Sequence, residues 1–90
     1  MLVISYDISS TKLRTKFSKM LTKNGAIRLQ YSVYEVNNTG RLLDNIRLKI
    51  NTFYSDKFTK DDSVMIFNTN SETIEKYGNA IHRDKDMLFF

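Results

Sequence analysis

Apolar and polar residues along the chain follow two spacings, one typical of strands and one typical of helices. Residues 2–7, LVISYD, form a short apolar and β-branched run that predicts a buried strand. A helix is predicted over about 11–24, with Ser9 or Ser10 as its N-cap and Gly25 as its stop. Its apolar face consists of residues at helical spacing, namely Leu13, Phe17, Met20 and Leu21.

Residues 26–36 are rich in β formers, but the alternation of apolar and polar positions changes phase within them. Ile27, Leu29 and Tyr31 follow one phase, whereas Tyr34 and Val36 follow the other. A strand changes faces only at a bulge or a turn. We therefore predict two strands, 26–30 and 32–37, that meet near Tyr31, with a single bent strand as the alternative.

The second half of the chain predicts another helix and another strand. The helix has an apolar face formed by Leu42, Leu43, Ile46, Ile50 and Phe53. Leu48 points away from that face. Residues 54–62 are interpreted as a polar loop, and 63–69 as a strand. The buried candidates of that strand are Val64, Ile66 and Phe67. A short helix is predicted near 71–77.

The order β-α-β-β-α-β predicts an α+β fold, a ferredoxin-like sandwich that forms a single domain over residues 1–90. The last residues, DMLFF (86–90), add an apolar strand at the C-terminal end. Four consecutive apolar residues are unfavourable in water. They either close the sheet of their own chain or join the sheet of a second subunit, and the second alternative favours a dimer.

Composition narrows the function classes. The chain has 90 residues and no cysteine, which excludes a disulfide framework and a thiolate zinc site. No apolar run is long enough to span a membrane, and the first residues lack the features of a signal peptide. We therefore expect a cytoplasmic protein without a membrane partner.

Positive charge is concentrated in one stretch of the chain. The formal net charge is +4, yet residues 8–34 contain six basic residues and no acid. These residues are Lys12, Arg14, Lys16, Lys19, Lys23 and Arg28. The four lysines form one line along the predicted helix, and Arg14 lies on its other flank. The line is either a solvated face or a surface for a phosphate backbone, and the absence of interspersed acids favours the backbone.

Asp7, at the end of the first strand, is the acid nearest to this basic stretch on its N-terminal side. It either caps a turn and screens the basic helix, or binds Mg²⁺ together with its symmetry mate in a homodimer.

Tyr6, Tyr31 and Tyr34 are interpreted as core or interface residues, because the sequence around them lacks the glycine-containing signature of ring-stacking RNA-binding domains.

Several of these segments together resemble one known family. VISYDISS, a basic helix that ends at KNG, RLQYSVYE and DSVMIF are similar to the small CRISPR-associated adaptation protein, the non-integrase partner in spacer capture. The similarity covers about residues 2–67 well and the tail loosely.

The resemblance implies a ferredoxin-like homodimer whose C-terminal strand packs on its partner, and binding of duplex DNA beside the CRISPR integrase. Proteins of this family are commonly described as magnesium-dependent endonucleases that act on DNA or single-stranded RNA, with the acid at the end of the first strand as metal ligand. That position is Asp7. The alternative function is a ferredoxin-like RNA-binding or regulatory module without catalysis.

Overall fold

The computed structural model describes residues 2–36, 40–70 and 73–78, which form an antiparallel sheet covered on one face by helices. The strands and helices are β1 (Leu2–Asp7), α1 (Thr11–Lys23), β2 (Ile27–Gln30), β3 (Val33–Val36), α2 (Gly40–Lys49) and β4 (Ser63–Asn68). No helix in this part of the chain is long and apolar enough to cross a membrane.

The four strands lie in the order β2-β3-β1-β4, and every neighbouring pair is antiparallel. Strand β3 lies between β1 and β2, and β1 lies between β3 and β4. Each helix therefore connects two parallel strands that are separated by an antiparallel one. This arrangement is the split βαβ topology of the ferredoxin-like fold, which confirms the predicted fold class.

Strand β1 gives the sheet one face toward the helices and one face away from them. Leu2, Ile4 and Tyr6 are buried beneath the helices. Alternation along the strand places Val3, Ser5 and Asp7 on the opposite side. We call this side, which no helix covers in the described chain, the open face.

Helix α1 forms where its caps and apolar spacing predict it. The Ser10 hydroxyl accepts a hydrogen bond from the Leu13 amide at 3.2 Å and so caps the first turn. At the other end the Asn24 side-chain amide donates to the Met20 carbonyl at 2.9 Å. Gly25 then adopts a φ of 84°, which reverses the chain without the steric strain that a side chain would bring.

A two-residue turn at Tyr31 and Ser32 separates β2 from β3, which confirms two strands instead of a single bent one. Ser32 has a φ of 66°, and its carbonyl accepts a hydrogen bond from the Tyr6 amide at 3.1 Å. Tyr6 and Tyr34 lie in the core as predicted. Tyr31 is 63% exposed because the turn projects it outward, so the core alternative of the prediction is wrong for this residue and the interface alternative stays a prediction.

Helix α2 continues further than predicted, through a π-helical turn (Ile50–Tyr54) and a 3₁₀ turn (Ser55–Lys57). The predicted loop over 54–62 is therefore wrong at its start. Each residue of a π turn advances by a smaller angle than in an α-helix. As a result Tyr54 rotates into the core and Phe53 moves to its rim.

Strand β4 has apolar residues on both of its faces. Val64 and Ile66 are partly buried and pack against the core, as predicted. Phe67 is 47% exposed, and its predicted burial is wrong, because alternation places it opposite Ile66 on the open face. Residues 74–77 are not helical, contrary to the prediction for 71–77. The predicted strand 86–90 lies outside the described residues.

Candidate nucleic-acid interface

The four lysines of α1 line a groove between this helix and the helical segment 40–57. Two cavities of about 360 and 590 Å³ follow one another along it and share Lys16 and Phe53. The second helical segment contributes two more lysines. We call this surface the lysine groove, and its basic residues are Lys12, Lys16, Lys19, Lys23, Lys49 and Lys57.

Two aromatic residues of the π turn shape the lysine groove. The Tyr54 hydroxyl donates a hydrogen bond to the Lys16 carbonyl at 3.2 Å, which ties the second helical segment to α1. Burial raises the pKa of Tyr54, so this hydroxyl keeps its proton at neutral pH. The Nζ atoms of Lys16 and Lys57 both lie over the Phe53 ring, at 5.4 and 4.7 Å from its centroid. The lysines are thus drawn toward the groove by cation–π attraction.

Among the described residues, no aspartate or glutamate lines either cavity of the lysine groove. Like charges one turn apart on a helix repel one another by a few tenths of a kcal/mol per pair. A surface that keeps six lysines together without acids among its lining residues is therefore complementary to a polyanion. A phosphate backbone is the simplest such ligand.

Lys49, Phe53 and Lys57 were not identified from the sequence. Their spacing of four residues is a helical signal, but it crosses position 54, where the polar residues suggested a loop. The continuation of the helix through Lys57 is what brings the three side chains to one side.

The remaining two predicted contacts, Arg14 and Arg28, lie away from the lysine groove on the other flank of α1. They line a separate cavity of about 380 Å³ together with the exposed ring of Tyr31. Lys19 lines both this cavity and the lysine groove. The structure therefore divides the six predicted basic residues between two adjoining surfaces joined at Lys19.

Asp7 lies at the end of β1, paired with Ser63 of β4, and its side chain belongs to the open face. It is exposed, and no hydrogen bond or ion pair to its carboxylate forms within the described ranges. It lines neither the lysine groove nor the cavity beside Arg14. The interpretation of Asp7 as a turn cap therefore has no support from hydrogen bonding.

Asp62 is the acid that holds the turn at this edge of the sheet. Its carboxylate accepts hydrogen bonds from the Ser9 amide at 2.9 Å, the Ser9 hydroxyl at 2.8 Å and the Thr59 amide at 2.9 Å. The backbone hydrogen bonds from Ser9 and Thr59 lower the pKa of Asp62. Asp62 thus caps the turn, which is the structural role that the sequence analysis suggested for Asp7.

Asp7 stands apart from other metal-ligating side chains. Among residues 2–36, 40–70 and 73–78, no group of three or more His, Cys, Asp or Glu side chains comes together. Mg²⁺ is usually held by one or two carboxylates with water and substrate phosphates. A single exposed Asp7 fits this pattern only weakly in one chain, and fits it better when a second chain contributes another.

Comparison with known proteins identifies the family. The family model described as CRISPR associated protein Cas2 matches residues 1–77. This chain belongs to the Cas2 family. Membership supports a role in CRISPR adaptation and confirms the resemblance seen in the sequence. No curated protein matches the chain.

A solved structure similar to this Cas2 chain is that of a hypothetical protein, TT1823, from Thermus thermophilus. The two share 25% sequence identity and superpose with a TM-score of 0.65, over 86% of this chain and 88% of the other. The agreement supports the ferredoxin-like fold.

Three residues of QYSVYE, the sequence segment that carries much of the Cas2 resemblance, have a structural task. Ser32 makes the left-handed turn, and Tyr34 packs in the core with its hydroxyl 2.6 Å from that of Ser18. The Glu35 carboxylate accepts from the Lys76 ammonium at 3.2 Å, which is the one ion pair within the described part of the chain. This contact holds the segment after β4 against the open face.

The open face of this Cas2 chain is apolar at its centre. Val3 lies opposite Phe67, and the next pair along the strands joins Ser5 and Met65. Met65 is 53% exposed. A cavity of about 500 Å³ separates this face from the residues around Ile74. Adjacent exposed apolar side chains on a sheet face are typical of a surface that packs against another protein.

Proposed function

We propose that this Cas2 protein acts in spacer acquisition as a homodimer that holds duplex DNA by its phosphates beside the integrase. The observation that carries the proposal is the lysine groove, whose six ammonium groups have no acid among the described residues that line it. Family membership gives the context of CRISPR adaptation.

The proposed contacts include all six predicted basic residues, with Lys49 and Lys57 added from the structure. All of them carry cationic side chains suited to phosphate oxygens. Contacts to phosphates convey no base sequence. Binding is therefore expected to be independent of sequence and to weaken steeply with salt, as counterions are released from the DNA.

The proposed homodimer forms through the open face. Phe67 and Met65 are exposed there within the described part of the chain, and the half-buried Val3 adjoins them. A two-fold axis through this face brings it against its own copy. Asp7 lies on the same face, so the proposed dimer also places two copies of this carboxylate at one interface.

A second candidate function, metal-dependent cleavage of a phosphodiester bond, is favoured by the position of Asp7. Two exposed Asp7 carboxylates at the proposed interface would hold a Mg²⁺ ion together with a phosphate of the bound strand. The chemistry supplied by bound Mg²⁺ is polarisation of a phosphoryl oxygen and activation of a water molecule. The role of Asp7 itself is to bind and orient, with the basic residues of α1 holding the strand.

The substitution Asp7→Asn distinguishes binding of the nucleic acid from its cleavage. The variant keeps the shape of the side chain but removes its charge, so we expect unchanged dimerisation and duplex affinity within about twofold. If the second function exists, the variant also loses magnesium-dependent cleavage. The measurement compares wild type and variant on labelled duplex DNA and single-stranded RNA, with and without magnesium, alongside binding and sedimentation.

Each outcome of this experiment decides between the candidates. Magnesium-dependent cleavage that disappears in Asp7→Asn while binding persists supports an enzyme with Asp7 as metal ligand. Absence of cleavage above background, or equal cleavage by both proteins, refutes the catalytic role of Asp7 and leaves a DNA-holding subunit. Binding of single-stranded RNA in preference to duplex DNA favours the third candidate, an RNA-binding module, over the proposed function.

A further inference from the structure

The cavity beside α1 brings two arginines to one aromatic ring. The guanidinium carbon atoms of Arg14 and Arg28 lie 5.8 and 5.5 Å from the centroid of the Tyr31 ring. We call this cavity the arginine pocket. Two like charges on one ring repel each other, and the ring itself is what attracts both of them.

Arg14 is fixed in place before any ligand arrives. Its two terminal nitrogens donate hydrogen bonds to the Ile8 carbonyl at 3.0 Å and to the Thr11 hydroxyl at 3.2 Å. Neither acceptor carries a negative charge, so the charge of the guanidinium is not balanced by these partners. The guanidinium group of Arg14 therefore has a fixed orientation and still attracts an anion.

The β2–β3 turn sets the position of Tyr31. Ser32 holds a φ of 66°, a conformation that residues with a side chain adopt infrequently. Its carbonyl is bound by the Tyr6 amide, so the turn is anchored to β1. An anchored turn of this kind presents Tyr31 at a fixed place between β2 and α1.

The inner wall of the arginine pocket is made of neutral hydroxyl groups. Ser18 and Tyr34 share a hydrogen bond of 2.6 Å there. Burial, and then the neighbouring Tyr34, raise the pKa of Tyr6, which therefore remains protonated at neutral pH. In the part of the chain that the structure describes, no acidic residue lines the pocket, and α1 has none in its first turn. Hydroxyls and guanidinium groups without a carboxylate form a donor set suited to phosphate oxygens.

We propose that the arginine pocket is a discrete site for one phosphate group of a nucleic-acid strand, in which Tyr31 is a positioning residue that holds Arg14 and Arg28 toward the same phosphate. The inference rests on the proposed function for the identity of the strand. The pocket differs from the lysine groove in kind, because the groove offers ammonium groups along a track, whereas the pocket offers two guanidinium groups at one aromatic ring, one of them fixed by hydrogen bonds.

The test replaces Tyr31, which is exposed and outside the core, by leucine and by phenylalanine. Tyr31→Leu removes no charge. It is nevertheless expected to weaken duplex binding by about fivefold and to lower the slope of log affinity against log salt by about 0.9, the contribution of one phosphate contact. Tyr31→Phe keeps the ring and is expected to bind like wild type. A purely structural or net-charge role for Tyr31 predicts no change in the slope.

A second measurement does not depend on DNA. Inorganic phosphate is titrated into wild type and both variants while the side-chain Nε–H resonances of the arginines are followed by NMR. We expect saturable shifts of Arg14 and Arg28 in wild type and in Tyr31→Phe, and their loss in Tyr31→Leu.

The two measurements separate this inference from the proposed function. Absence of saturable shifts in wild type, or equal shifts in Tyr31→Leu, overturns the pocket. If wild type binds duplex DNA and Tyr31→Leu keeps both its affinity and its salt slope, the pocket is also refuted while the proposed function stands. Saturable phosphate shifts without any duplex binding refute the proposed function instead.

Discussion

Replacing Lys16, Lys19 and Lys23 together by glutamine is expected to reduce duplex affinity at moderate salt by on the order of a hundredfold. The three ammonium groups line the larger cavity of the lysine groove. Each phosphate contact contributes about 0.9 to the slope of log affinity against log salt, so the slope should fall by roughly 2.7. Binding is measured by fluorescence anisotropy over a series of salt concentrations.

The matched control for this prediction removes the same charge elsewhere. Arg41, Arg47 and Lys60 are exposed, and none of them lines the lysine groove or the arginine pocket. Their combined replacement by glutamine also changes the net charge by −3. It should nevertheless lower the slope of log affinity against log salt by less than about 0.9, the contribution of one phosphate contact. Equal losses in the two triple variants would show that net charge, and not the groove, determines binding.

Phe67→Glu is expected to prevent the proposed dimer from forming at micromolar concentration. The side chain lies on the open face opposite Val3, so the proposed interface would bury two new carboxylates, one from each copy, without cationic partners. Duplex affinity should fall by more than about tenfold, because a monomer offers half of the phosphate contacts. Sedimentation velocity reports the mass, and anisotropy reports the affinity.

Leu48→Glu is the control for this substitution. Leu48 is an exposed leucine on α2, on the helical side of the sheet, and gains the same charge. It should leave both mass and affinity unchanged. A Phe67→Glu protein that is folded and still dimeric would refute an interface through the open face, and a monomeric wild type would refute the homodimer altogether.

Much of the fold was predictable because the spacing at which apolar residues recur along the chain follows directly from the backbone geometry of helices and strands. The apolar spacing of Leu13, Phe17 and Met20 predicted α1, and the phase change before Tyr34 predicted the turn between β2 and β3. The caps at Ser10 and Gly25 located the ends of α1 to within a residue or two.

The predictions of burial were wrong where two adjacent residues are both apolar and a contact distant in sequence determines which of them is buried. In a regular α-helix Phe53 and Tyr54 would lie about equally close to the apolar face, and nothing in the local sequence specifies the π turn that buries Tyr54 and leaves Phe53 at the rim. In β4, Ile66 and Phe67 are both apolar, and only the pairing with β1 determines which of the two faces the helices.

The candidate site was predictable on one helix and not across helices. The lysines of α1 share one side because of a spacing that is visible in the sequence. Lys49 and Lys57 join them only through the packing of the π turn on α1, which the hydrogen bond from Tyr54 to the Lys16 carbonyl maintains. Likewise the sequence placed Arg14 and Arg28 in the basic stretch but did not show that they meet. The turn at Ser32 is what brings Tyr31 close to both of them.

The mass of the protein–DNA complex tests the central claim most directly, because it reports dimerisation and duplex binding at once. The wild-type chain is mixed with either of two duplexes of unrelated sequence and examined by native mass spectrometry and sedimentation. The predicted result is two chains on one duplex for both sequences, with a complex that dissociates as salt is raised. One chain per duplex, a preference for one sequence, or a complex that is indifferent to salt would contradict a homodimer that holds DNA by its phosphates.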